Sequence, residues 1–184
     1  GIYHYSKRFP DQERFLYLMD QIAQTLCLRF DQHKRENWHW FEDSLSYDNG
    51  LIPASLYLAY ASTGKEEYLQ VAEKSRIFLE SKCFRHEWLS LLGNKRWLRF
   101  DTDYELFAQQ PIDAMAMIVM YKSALLATGN DAHITRLLSC YRWFIGDNDL
   151  DISVFDRESK GCNDGMEQGC INRNQGAEST IAWL

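Results

Sequence analysis

Carboxylates stand out among the residues whose types and spacing could do chemistry. Asp113 lies in Gln109-Gln110-Pro111-Ile112-Asp113-Ala114, and Glu178 in Asn174-Gln175-Gly176-Ala177-Glu178-Ser179-Thr180. These acids are 65 residues apart, as are Gln110 and Gln175. Two carboxylates flanking a bond are the usual equipment of glycosidic cleavage, one as acid and one as base or nucleophile. An acid set inside an apolar helix ring acquires the raised pKa a general acid needs. Asp48 and Asp164, the latter in Asn163-Asp164-Gly165, are supporting candidates. A structural reading competes: Gln110, Asp113, Gln175 and Glu178 could form a polar ring tying helix starts together, because buried polar groups must be paired.

A second cluster, Trp38-His39-Trp40-Phe41-Glu42-Asp43, precedes Asp48 and Asn49. Sugar rings stack on aromatic faces, and carboxylates accept hydrogen bonds from hydroxyls. Trp38, Trp40 and Trp97 are therefore expected to hold sugar rings, with Glu42, Gln110 and Gln175 as polar binding groups. The competing reading has Trp38 and Trp40 anchoring the loop while Asp48 or Asn49 caps the following helix. His39 has no companion at metal-ligand spacing. Asp147-Asn148-Asp149-Leu150-Asp151 lacks the Gly and terminal Glu of an EF-hand. No phosphate-binding Gly-rich loop or Gly-x-Ser-x-Gly elbow occurs. No metal and no cofactor is expected.

Six helices are needed to position these groups. Residues 11–30 carry a stripe of Phe15, Met19, Ile22, Ala23, Leu26 and Phe30 at spacings of three or four. Residues 51–62 are apolar nearly all round, with Pro53 in the first turn. Residues 65–82 are striped through Tyr68, Val71, Ala72, Ser75, Phe78 and Leu79. Residues 111–128 are apolar on every face. Residues 131–145 are striped through Ile134, Leu137, Leu138, Tyr141 and Ile145. A sixth helix begins near Gln175. Striped and fully apolar helices alternate, which predicts an outer and an inner layer. Thr63-Gly64 and Thr128-Gly129, again 65 residues apart, close two short connections, with Gly at each helix C-terminus. The long connections, near 31–50, 83–110 and 147–174, then share the opposite face. They hold 16 of the 26 acidic residues and Trp38, Trp40, Trp88 and Trp97. The prediction is an all-α domain over 1–184, three helical hairpins of an α/α toroid.

Composition narrows the function classes. With 184 residues, 46% hydrophobic and 25% charged, the chain is globular rather than disordered. A net charge of −6 argues against nucleic-acid binding. No run of about 18 uninterrupted apolar residues is evident, so no membrane span is expected, and the polar opening residues do not resemble a secretory leader. The five cysteines form no Cys-x-x-Cys pair, and Cys27 and Cys140 sit among helical apolar residues. They are expected as core thiols, which suits a cytoplasmic setting.

The strings Trp38-x-Trp40-Phe41-Glu42 with Tyr47-Asp48-Asn49, Gln109-Gln110-Pro111-Ile112-Asp113-Ala114, Gly161-Cys162-x-Asp164-Gly165 and Asn174-Gln175-Gly176-Ala177-Glu178-Ser179-Thr180 resemble a known family. It is the α/α-toroid (six-hairpin glycosidase-like) domain associated with bacterial group 1 glycosyltransferases. The resemblance covers about residues 35–184. It implies a cytoplasmic bacterial protein of carbohydrate metabolism, and a chain that is about half of a six-hairpin barrel, a piece of a longer protein or toroid. The expected function is binding or hydrolysis of a glycan in a cleft lined by carboxylates and Trp. One alternative is a non-catalytic accessory domain of a glycosyltransferase. Another is a sugar epimerase-like toroid, which would need catalytic histidines among His39, His86 and His133. Expected partners are an oligosaccharide, and a glycosyltransferase domain or second copy completing the toroid.

Overall fold

The computed structural model describes residues 1–9 and 13–184. It is mainly helical, with α1 at Ile2–Arg8, α2 at Glu13–His33, α3 at Leu51–Thr63, α4 at Glu66–Cys83, α5 at Pro111–Thr128, α6 at Ala132–Phe144 and α7 at Ala177–Trp183. The predicted helix start at Asp11 lies outside the described residues. α1 was not expected; it packs on α2 and α3.

α3 and α5 form the centre. α3 packs against α2, α4 and α5, and α5 also against α6 and α7. Their all-round apolar composition follows from being surrounded. α5 is an 18-residue helix of mean hydropathy 1.2, apolar enough by length and composition to cross a membrane. This corrects the expectation that no such segment exists. Its residues Ala114, Ala116, Met117, Met120, Tyr121 and Ala124 are buried inside the protein.

The predicted stripe of α4 is the observed one: Tyr68, Val71, Ala72, Ser75, Phe78 and Leu79 are all buried. Each large apolar side chain so buried contributes about 1.5–3 kcal/mol. The stripe of α2 is rotated, burying Met19, Ala23, Cys27 and Phe30 and leaving Ile22 exposed. On α6 the expectation fails more fully. His133, Ser139, Cys140, Trp143 and Phe144 face inward, whereas Ile134, Leu138, Tyr141 and Ile145 are exposed. This helix carries two apolar stripes, and the one holding Trp143 and Phe144 buries more area.

An ionic network joins the layers. The Tyr57 hydroxyl of α3 donates to Glu73 (2.6 Å), and Arg76 bridges Glu73 (2.7 Å) and Glu80 (2.6 Å). Glu80 also accepts from Tyr121 of α5 (3.1 Å) and Arg136 of α6 (2.9 Å). Gly64 and Gly129, at φ 68° and 67°, end α3 and α5 in left-handed turns, as expected.

The long connections contain strand pairs that the sequence did not suggest. β1 (Ser44–Leu45) pairs antiparallel with β4 (Leu98–Arg99), β2 (Phe84–Arg85) with β3 (Trp88–Leu89), and β5 (Gly165–Glu167) with β6 (Cys170–Asn172). Gln109, just before α5, bridges Met166 of β5. The segment entering α3 and the segment entering α5 are thus each braced by the following long connection.

Candidate functional site

The starts of the central helices converge. Asp48 precedes α3 in a left-handed turn at φ 55°. That conformation is costly for most residues and tolerated by Asp. It aims the Asp48 N–H at Asp113 Oδ1, 2.6 Å away. Gly50 permits the approach of the two helices, since a Cβ there would lie 2.4 Å from the Ala116 carbonyl oxygen.

Asp113, in the first turn of α5, is 7% exposed. Its Oδ2 accepts from Asn94 Nδ2 at 2.9 Å, and the same amide donates to Gln110 Oε1 at 3.1 Å. Burial pushes the Asp113 carboxyl up to about 6, helped by the charges of Asp48 and Glu178 and opposed by its two hydrogen bonds. Burial and the Glu178 charge push Asp48 to about 6 as well. Asp48 Oδ1 is buried without a hydrogen-bond partner among the described residues.

Glu178, in the first turn of α7, is exposed and lines a cleft of about 340 Å³. The cleft runs between the β5–β6 hairpin and the starts of α5 and α7, lined also by Gln110, Asp164, Glu167, Asn172 and Ser179. Its walls are amide, carboxylate, hydroxyl and backbone groups.

Asp48, Asp113 and Glu178 fall at a constant interval of 65 residues. The sequence reading paired the last two and treated Asp48 separately. The same spacing, applied once more toward the N-terminus, finds it. The interval extends to their supports: Asn94 donates to Gln110 Oε1 (3.1 Å), and Ser159, 65 residues on, donates to Gln175 Oε1 (2.8 Å).

Asp164 plays a different part. It accepts from the Gly176 N–H (2.8 Å), the Ser179 hydroxyl (2.7 Å) and the Asn174 amide, so it fastens the start of α7. Burial works against its charge, but these hydrogen bonds outweigh it and hold the carboxyl below the usual range. Gln175 donates to Asp156 (3.0 Å) and Asn163 (3.4 Å), belonging to the same scaffold rather than to the cleft wall.

The tryptophan expectation needs correction. Trp38 and Trp40 are 3% and 0% exposed, so neither offers a ring face to a sugar. Trp38 packs edge-on to Phe78 at 4.9 Å and donates to the Glu42 carbonyl at 2.7 Å, anchoring its loop. Trp97 is 41% exposed, and the Glu42 side chain is exposed, but neither lines the cleft. The reason is packing: an indole placed on a polar loop is still drawn into the core when the loop lies over it.

Gln109 was missed as a linchpin. It is fully buried, accepts from Trp143 Nε1 (3.0 Å) and donates to Asp149 (2.7 Å) and to the Leu106 carbonyl (3.0 Å). Asp149 is thereby occupied internally. Asn148 holds the same turn through the carbonyls of Trp143 (2.7 Å) and Ile152 (2.9 Å). Among the described residues, no group of three or more His, Cys, Asp or Glu is placed to hold a metal ion. His39, His86 and His133 lie outside the cleft lining, and His133 is buried on α6. Cys27 and Cys140 are core residues as expected, joined by Cys83 and Cys162; burial pushes the Cys27 thiol up to about 12.

No family model matches the sequence, and no curated protein matches it.

Proposed function

We propose that α3, α5 and α7 are successive inner helices of an α/α toroid, and that the cleft at their N-terminal ends binds a carbohydrate. The observation that carries this reading is the convergence of Asp48, Asp113 and Glu178 beside a polar cleft, one from each repeat. Carboxylates and amides are suited to a hydroxyl-rich ligand that offers donors and acceptors in turn. Glu178 is the carboxylate that reaches the ligand. Asp48 and Asp113, with raised pKa values, are the proton-holding partners in glycosidic cleavage. The toroid resemblance supports the same substrate class and a role in glycan processing.

Calorimetric titration with neutral gluco- and manno-oligosaccharides tests the reading. Binding is expected to at least one member, weakened roughly tenfold or more by Glu178→Gln, the scale of one lost charged hydrogen bond. Silence across the panel overturns it.

A second reading, an accessory domain of a glycosyltransferase, is favoured by the saturation of Asp113 and Asp164 with internal hydrogen bonds. In that case the acids are a structural ring. Asp113→Asn then unfolds the domain, whereas in the binding reading it leaves stability within about 2 kcal/mol.

A further inference from the structure

The three outer helices differ in how their flanks are used. α4 is covered on both sides. Toward α2, Lys65 and Tyr68 both bond Asp20, at 2.6 and 2.5 Å. Toward α6, Glu80 pairs with Arg136 at 2.9 Å, and the Arg136 guanidinium lies 4.5 Å over the Phe84 ring.

α2 and α6 each have one flank left over. On α2, Leu18 and Ile22 sit two residues either side of Asp20, about 160° around the helix from the group that meets α4. They are 44% and 46% exposed. On α6, Ile134, Leu138, Tyr141 and Ile145 lie about 140–200° around from Arg136, and are 41%, 44%, 42% and 48% exposed. The 65-residue shift maps these four onto Leu69, Glu73, Arg76 and Glu80 of α4. That is the flank on which α4 meets Arg136 of α6. So α6 presents, in apolar form, the surface with which an outer helix of this repeat receives the next one.

We propose that the two flanks are halves of one interface, through which a second copy of this chain docks head to tail, α6 of one against α2 of the other. The packing of α4 between its neighbours is the template for the contact. Beside the α2 flank runs an apolar groove of about 310 Å³, lined by Ile2, Tyr3, Met19, Ile22, Leu26 and Leu58, which receives the α6 side chains. A single association covers both apolar edges at once, and soluble monomers rarely leave such contiguous patches open. The contact is heterologous, so it closes into a ring or continues as a chain of copies. It rests on the repeat packing and not on the carbohydrate reading.

Sedimentation velocity of the full chain at rising concentration tests the proposal. A reversible shift from monomer to a species of doubled mass, or to longer assemblies, is expected. Leu138→Glu and Ile22→Glu should each abolish it alone, with the thermal unfolding midpoint showing that the fold is retained. An equimolar mixture of the two variants should regain a heterodimer, because each supplies the flank the other lacks. Ile145→Lys and Leu18→Lys, on the same flanks, serve as a second pair should either Glu variant fail to fold. A wild-type chain that stays monomeric overturns the proposal. So does association that survives either substitution, or a mixture that remains monomeric.

Discussion

The starts of α5 and α7 are built from the same string and have been put to different uses. Gln110-Pro111-Ile112-Asp113 and Gln175-Gly176-Ala177-Glu178 occupy equivalent places one repeat apart. At α5 the acid is short and 7% exposed, held by the Asp48 N–H and Asn94. At α7 the acid is one methylene longer and exposed, and Asp164 has taken over the fastening of the helix start. Pro111 needs no donor partner in the first turn, whereas the Gly176 N–H does, and Asp164 supplies the acceptor. One repeat unit therefore yields a buried carboxyl with a raised pKa, and the next an open one beside a carboxylate held low. An acid–base pair needs that kind of asymmetry.

The comparison can be broken most strongly through the brace that joins the two starts. Gly165 of β5 sits at φ 139°, and a Cβ there would lie 2.0 Å from the Gln109 carbonyl oxygen. Gly165→Val should cost about 3 kcal/mol or more, from backbone strain and overpacking together, read by chemical denaturation. An unchanged midpoint would remove the brace from the account.

Asp164→Ala strips three hydrogen bonds from the start of α7 and should cost about 2 kcal/mol. The loss should be local, with amide exchange in 177–183 rising before that in α5. The corresponding change at α5, Asp113→Asn, keeps the shape and should stay within about 2 kcal/mol near neutral pH.

Its signature lies in pH dependence. The Asp48 and Asp113 carboxyls are raised from 3.8 to about 6. Between those values the folded chain holds protons that the unfolded chain has released. Stability from these groups is therefore full at low pH and falls as pH rises through roughly 4 to 6. Asp113→Asn should flatten that fall, measured as unfolding free energy against pH.

The smallest effect on stability belongs to Glu178→Gln, within about 0.5 kcal/mol for an exposed side chain. Its charge helps raise both other acids. Removing it should shift the Asp48 and Asp113 titrations downward, read by side-chain carboxyl NMR. Titrations that do not move would separate Glu178 from the cluster.

Much of the fold was legible because its causes are local. The apolar period of α4 named every buried residue it proposed, and α5 was bounded from Pro111 to Thr128 by a first-turn Pro and a terminal Gly. The 65-residue interval was equally readable and paired Asp113 with Glu178; carried one step further, it would have placed Asp48 with them. Trp38 and Trp40 were legible only as tryptophans in a polar loop. Their burial against Phe78 and Phe41 depends on which surface the loop crosses.

By itself, then, the sequence determined the helices, their alternation between striped and fully apolar, and the repeat that spaces the acids. These depend on periodicity and end chemistry within a few turns of chain. Tertiary structure decided which of the two apolar stripes on α6 faces inward, which tryptophans are core, and that Asp113 is buried while Glu178 is open. Those outcomes rest on contacts between residues far apart in sequence, where the area buried against a neighbour, and the hydrogen bonds that neighbour supplies, select among local patterns that are equally well formed.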